Sequence, residues 1–142
     1  MTTPQLTPYL FFEGNCHEAI TFYHACLGGE LLIQTFGESP MGQQVPEATR
    51  QQVMHSSLTN GLLTLFSSDA GAMGRTLVRG NSIRLCLNCT SAEQITTLFA
   101  QLAEGGTVND ALVETAWGAT FGSLTDRFGV NWLLNHQHTA AQ

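Results

Sequence analysis

Apolar positions recur along this chain in two rhythms, one of period two and one of three to four, and the same succession of rhythms occurs twice. Leu6 to Glu13 (LTPYLFFE) is a short, aromatic-rich run of strand length, and Pro8 near its start suits an edge or entry position. Asn15 reads as a helix N-cap, with Glu18 three residues on completing a capping box. Ala19, Ile20, Tyr23, Cys26 and Leu27 then form one apolar stripe, while His17, Glu18, Thr21 and His24 fall largely off it and read as solvated. Gly28-Gly29 ends the helix, and Glu30 to Phe36 predicts a second strand. Gly37 to Arg50 has two prolines, two glycines and no period, which predicts a long loop, either a functional flap or a surface excursion without a role. Gln52–Thr59 and Leu62–Ser68 flank Asn60-Gly61 and predict a hairpin. Asp69 to Gly80 is glycine-punctuated and reads as a connector.

The pattern then restarts. Ser82 to Leu87 alternates, with Ile83, Leu85 and Leu87 on one face and Arg84 and Cys86 on the other. Ser91 and Gln94 form a second capping box, Ile95, Leu98, Phe99 and Leu102 a second stripe, and Gly105-Gly106 a second helix end. Strands are predicted around Val108–Val113, Ala119–Leu124 and Val130–Leu134. The last two lie in Trp117–Asn135, an aromatic-rich hairpin with its turn at Thr125-Asp126-Arg127-Phe128-Gly129. Ser123-Leu124-Thr125 repeats Ser57-Leu58-Thr59 letter for letter. Gly28 and Gly105 stand 77 residues apart, Asn15 and Ser91 76. The expected organisation is therefore one domain over 1–142, with βαβββ modules at 5–69 and 81–136 and a connector at 70–80. A polar tail follows at 137–142, with His136 leading into it. One βαβββ unit leaves a sheet face uncovered, so two should pack together, within one chain or across a dimer.

Composition narrows the function classes. Charged residues make up 11% of the 142, under half the usual ~25%, and the net charge is −6. There is no lysine, and five scattered arginines make no basic patch, which argues against nucleic acid or an anionic membrane surface as partner. The missing lysine also removes Schiff-base chemistry and the P-loop phosphate site. No apolar run approaches ~18 residues, and no secretory leader pattern opens the chain, so a cytoplasmic protein is expected. Cys16, Cys26, Cys86 and Cys89 are then expected as reduced, buried small hydrophobes. Cys86-Leu87-Asn88-Cys89 has CxxC spacing, but residues three apart on a strand point to opposite faces and no second CxxC exists.

Several segments together resemble one family. They are Pro8-Tyr9-Leu10-Phe11-Phe12, Glu18-Ala19-Ile20-Thr21-Phe22-Tyr23, Gly28-Gly29-Glu30, Val53-Met54-His55, Ser68-Asp69, and Thr125-Asp126-Arg127-Phe128-Gly129-Val130-Asn131-Trp132. In order and spacing they resemble the PhnB-like branch of the vicinal-oxygen-chelate superfamily, which includes glyoxalases, bleomycin-resistance proteins and extradiol dioxygenases. The resemblance implies an α+β fold of two βαβββ modules whose curved mixed sheets surround a cleft. It also implies that metal enzymes of the superfamily carry ligands on the first and last strands of each module. Those positions fall on Pro8, on Ser82 as its repeat counterpart, near Leu65–Phe66, and on Leu133. None is a His, Glu or Gln suited to a divalent metal. No cofactor and no metal site are therefore expected. Members of this branch are sometimes labelled ubiquinone-pathway methyltransferases, but no glycine-rich loop in a parallel α/β framework is present to bind S-adenosylmethionine.

The expected function is small-molecule binding in an apolar cleft, in a protein forming a homodimer. Leu10, Phe12, Trp117 and Phe121 would supply wall surface, and His55 and Arg84 polarity. His55 is the histidine that falls inside a predicted strand and is the best catalytic candidate, against a plain structural hydrogen bond. Arg84 would project away from the helix-covered face and hold a carboxylate or phosphate, or else pair with Glu114 or Asp126. His136-Gln137-His138 offers at most adventitious metal binding. The alternatives are a lyase, isomerase or dioxygenase with a divergent metal site, and a non-catalytic dimerisation or interaction module.

Overall fold

The computed structural model describes residues 2–40, 42–70 and 76–138. The chain divides into two compact units, Met1–Val78 and Arg79–Gln142. The first contains β1 (Tyr9–Phe12), α1 (Cys16–Leu27), β2 (Glu30–Thr35), α2 (Glu47–Arg50), β3 (Val53–Asn60) and β4 (Leu63–Asp69). The second contains β5 (Leu85–Asn88), α3 (Ala92–Ala103), β6 (Thr107–Glu114), β7 (Ala119–Thr125) and β8 (Asn131–Gln137). Each unit holds one four-stranded mixed sheet, in the order β1-β4-β3-β2 and β5-β8-β7-β6. In both, the first strand runs parallel to the last and the other pairings are antiparallel. The duplicated hydrophobic rhythm is therefore a duplicated topology, and the fold class is α+β as expected.

In the first unit the helix-facing side of the sheet buries Phe12, Leu58 and Leu65 with Ile20 and Tyr23 of α1. In the second it buries Leu124, Trp132 and Leu134 with Ile95, Phe99 and Leu102 of α3. The expected stripes are borne out, Cys26 and Leu27 being half-buried at the end of the first and Leu98 within the second. The second glycine of each helix-ending pair has a tertiary cause. A Cβ on Gly29 would overlap the Thr59 carbonyl, and one on Gly106 the Thr125 carbonyl, so each helix exit presses on the adjoining strand.

The capping of α1 differs from the expected box. Asn15 makes no side-chain cap. Instead Asp69 Oδ1 accepts the N–H groups of Gly14 (2.8 Å) and Cys16 (3.0 Å), and Oδ2 accepts that of Val53 (2.8 Å). Asp69 is the last residue of β4 and 1% exposed, not the start of a connector. A buried carboxylate persists because it is fully hydrogen-bonded, here to the electropositive start of a helix. At α3, Ser91 accepts the Gln94 N–H as expected, but Gln94 Oε1 turns back to the Thr90 N–H and hydroxyl. In the second unit Asp126, also buried, accepts the N–H groups of Phe128 and Val130 and the Trp132 Nε1–H, which holds the β7–β8 turn.

Other expectations need correction. The 37–50 loop is not without regular structure: a 3₁₀ turn at Phe36–Glu38, closed by Glu38 accepting from the Thr35 N–H and hydroxyl, precedes α2. Both turns are too short for a period to show. The first strand of the second unit starts at Leu85, and Ile83, assigned to the helix-covered face, is 80% exposed. The polar C-terminal stretch is strand through Gln137, and the His138 N–H donates to the Gly118 carbonyl. Of the connector and tail expectations, 71–75 and 139–142 lie outside the described residues. The eight-residue edge strand β6 is exposed along most of its length and shifts register twice against β7.

Asp69→Ala is expected to lower unfolding free energy by about 3 kcal/mol or more, since three backbone donors lose their acceptor at once. Urea titrations of this variant beside an exposed control, Glu93→Ala, check it. A loss below about 1 kcal/mol would show that water replaces the carboxylate.

Candidate functional site

Strand alternation sorts the first sheet into two faces. Leu10, Phe12, Leu65, Ser67 and Asp69 share the side under α1, as the Ser67 and Asp69 hydrogen bonds to Cys16 require. Tyr9 and Phe11 therefore point the other way, opposite Phe66 and Ser68. On β3 the Ser57–Phe66 pairing puts His55 and Ser57 on that same outer face. The outward row of β2 adds Leu32 and Gln34. Of the residues expected as wall, Phe12 is core and Leu10 lies on the helix side, while Tyr9, Phe11 and Phe66 face outward.

His55 sits at the centre of this face. Its Nδ1 is 3.1 Å from the Tyr9 hydroxyl, and its ring meets Phe66 edge-on at 5.0 Å between centroids. Tyr9 stacks on Phe11 at 4.9 Å and meets Phe66 edge-on at 6.1 Å. Tyr9 is 40% exposed, and His55, Phe11 and Phe66 are half-buried. A half-exposed aromatic surface with a polar pair set in it suits a ring that needs both contact area and an oriented hydrogen bond. Tyr9 and Phe11 share one parity of PYLFF and Leu10 and Phe12 the other; the sequence alone left open which parity the helix covers.

The remaining candidates lie in the second unit. Arg84 precedes β5, is exposed, and has no hydrogen bond or ion pair among the described residues. Asp126, one of the partners considered for it, is engaged in its own turn. Phe121 is half-buried and paired with Asn135 and Val113, on the face turned away from α3. Trp117 occupies the β6–β7 turn and is 71% exposed, so it walls nothing within its unit. Cys89 is buried but Cys86 is exposed and Cys26 half-buried, so the expectation of four buried cysteines holds for Cys16 and Cys89 alone; burial, then the neighbouring Cys86, pushes the Cys89 thiol up. His136 Nδ1 lies 3.2 Å from the Cys89 carbonyl, and His138 Nε2 2.7 Å from the Thr120 hydroxyl. His24 is not simply solvated, because its Nε2 is 3.0 Å from the Gly29 carbonyl at the helix end.

Two further places could carry chemistry. Beneath the first sheet the Cys16 thiol donates to Ser67 Oγ at 3.3 Å, and the Ser67 and Ser56 hydroxyls pair. Burial pushes that thiol up to about 11, against the lowering effect of the serines, so it is a neutral core group rather than a nucleophile. A surface groove of about 740 Å³ runs between His17, Glu18 and Thr21 of α1 and Ala48, Gln51 and Gln52. The helix-start amides beside it are already taken by Asp69.

The family model for 3-demethylubiquinone-9 3-methyltransferase matches residues 4–135, and the chain belongs to that family, the PhnB-like branch of the glyoxalase/bleomycin-resistance/dioxygenase fold. Protein YjdN of Escherichia coli (strain K12) is 34% identical over 92% of this chain and 93% of its own length. Protein PA1353 from Pseudomonas aeruginosa is 39% identical, with a TM-score of 0.84 over 95% of this chain and 98% of that one. A PhnB protein from Bacillus cereus is 25% identical, with a TM-score of 0.76 over 94% and 99% of the two chains. At 14% identity and a TM-score of 0.65, a glyoxalase/bleomycin resistance/dioxygenase family enzyme from Burkholderia phytofirmans PsJN shares the fold alone, covering 92% of this chain and 95% of its own.

The residues present do not fit the groups these descriptions imply. Ser57 pairs with Phe66 and Ser123 with Leu133, and these in turn pair with Tyr9 and Cys86, so the counterpart of Pro8 is Leu85, not Ser82. Neither that pair nor the last-strand positions provide a donor set, and among the described residues no three His, Cys, Asp or Glu side chains come together. For S-adenosylmethionine, the β1–α1 turn is short, its amides are occupied, and each sheet has only one parallel pairing.

The Cys16 assignment has a pH consequence. A thiol at 9 unfolded and about 11 folded keeps its proton longer in the native state, so stability is full below pH 9 and falls as pH rises toward 11. Urea melts from pH 8 to 11 should show this slope in the wild type and a reduced one in Cys16→Ala. Equal slopes would relocate the titration.

Proposed function

We propose that this chain is a small-molecule binding protein whose ligand lies on the outer face of the first sheet, against Tyr9, Phe11 and Phe66 and oriented by His55. The observation that supports this reading is the Tyr9–His55 hydrogen bond set within half-exposed rings. Exposing that much aromatic surface around a polar pair is costly unless something covers it. Metal-dependent chemistry gains no support from the donor set, and no reaction is assigned. We further propose a cytoplasmic homodimer. The chain has no described helix long and apolar enough to cross a membrane, and Val108, Val113 and Trp117 offer exposed apolar surface for a second copy.

A thermal-shift screen of planar aromatic compounds is expected to yield ligands that raise the melting temperature. Phe66→Ala should weaken the best of them about tenfold or more, as loss of one aromatic wall predicts. If no compound stabilises the protein, or if Phe66→Ala binds as the wild type does, the site is elsewhere.

A further inference from the structure

His55 has two ring nitrogens with different surroundings. Nδ1 faces the Tyr9 hydroxyl at 3.1 Å, and Nε2 has no hydrogen-bond partner among the described residues. The pair has two neutral arrangements. Where the Tyr9 hydroxyl donates to Nδ1, Nε2 carries the proton and offers a donor. Where Nδ1–H donates to the Tyr9 oxygen, Nε2 is an acceptor and the Tyr9 proton is released for another partner. A ligand group that can both give and receive a hydrogen bond satisfies either state. A pure acceptor satisfies only the first.

Charge narrows the class further. The outward positions of this sheet are Glu30, Leu32 and Gln34 on β2, His55, Ser57 and Thr59 on β3, Thr64, Phe66 and Ser68 on β4, and Tyr9 and Phe11 on β1. They include no arginine, and the chain has no lysine. A carboxylate or phosphate laid on this face would lose hydration with no fixed cation to replace it. The rings give the shape: Tyr9 is itself a phenol, stacked on one phenylalanine, set edge-on to another, and hydrogen-bonded to His55. The face already accommodates a hydroxylated ring in its own side chain.

Resting on the binding reading above, we infer that the ligand class is an uncharged planar aromatic carrying a hydroxyl, with the hydroxyl bound at His55 Nε2 and the ring against Phe66 and Phe11. His55 sets specificity and the phenylalanines supply affinity.

Three probes of nearly equal shape test this by calorimetry: 2-naphthol, 2-methoxynaphthalene and 2-naphthoate. The expected order has 2-naphthol about fivefold tighter than the methyl ether, the value of one net hydrogen bond, and the carboxylate weakest. His55→Ala and His55→Gln should bring the naphthol and ether affinities together, whereas Phe66→Leu should weaken both alike and keep their ratio. Either His55 variant suffices if the other does not fold. Equal binding of naphthol and ether in the wild type, preference for the carboxylate, or a ratio unchanged in a folded His55 variant overturns the hydroxyl assignment and leaves the aromatic site standing. No binding by any of the three overturns the site itself, and this inference with it.

Discussion

The Asp69 carboxylate ties the end of β4 to the start of α1 and the start of β3, three segments distant in sequence. Its worth comes from where it sits: no water reaches it, so every donor it accepts would otherwise be orphaned. Because β1 pairs with β4 and leads directly into α1, this one group sets the angle at which the helix leaves the sheet. That angle decides which face of β1 is covered, and hence which face shows Tyr9 and Phe11. The candidate site is, in this sense, a by-product of a capping interaction on the opposite side of the same sheet.

The second unit reaches the same topology with a different anchor. The residue in the place of Asp69 is His136, whose Nδ1 lies 3.2 Å from the Cys89 carbonyl, and the buried carboxylate has moved to Asp126 in the last turn. Equivalent positions are 77 residues apart from the first strands to the helix ends and 66 along β3 and β7, and the difference falls between β2 and β3. That is where the first unit carries its 3₁₀ turn and α2. The halves share a scaffold but not a chemistry: the aromatic cluster with a histidine belongs to the first alone.

Topology was legible in the sequence because it rests on features that repeat, namely the glycine pairs, the apolar stripes and the Ser-Leu-Thr echo. Each is enforced by packing that a period records. The Asp69 cap was not legible, because Asn15 and Glu18 present the local pattern of a capping box while the true acceptor arrives from 53 residues away. Local propensity set the expectation and tertiary structure overrode it. Of the candidate site, His55 was legible as a polar residue inside a strand. Its companions were taken from the wrong parity, since PYLFF is apolar at every position and alternation alone gives no sign of which side is wet. Arg84 was placed in a strand that begins one residue later.

The irregular edge strand β6 has a bearing on how copies of this protein can meet. A long, exposed edge is a template on which another chain's strand can add, and a sheet so extended has no natural end. Two register shifts within eight residues break the evenly spaced row of amides and carbonyls that such a template needs. Association through side-chain surfaces does not need that row. The bulges thus work against open-ended strand addition, written into the backbone beside the strand's two acidic residues, Asp110 and Glu114.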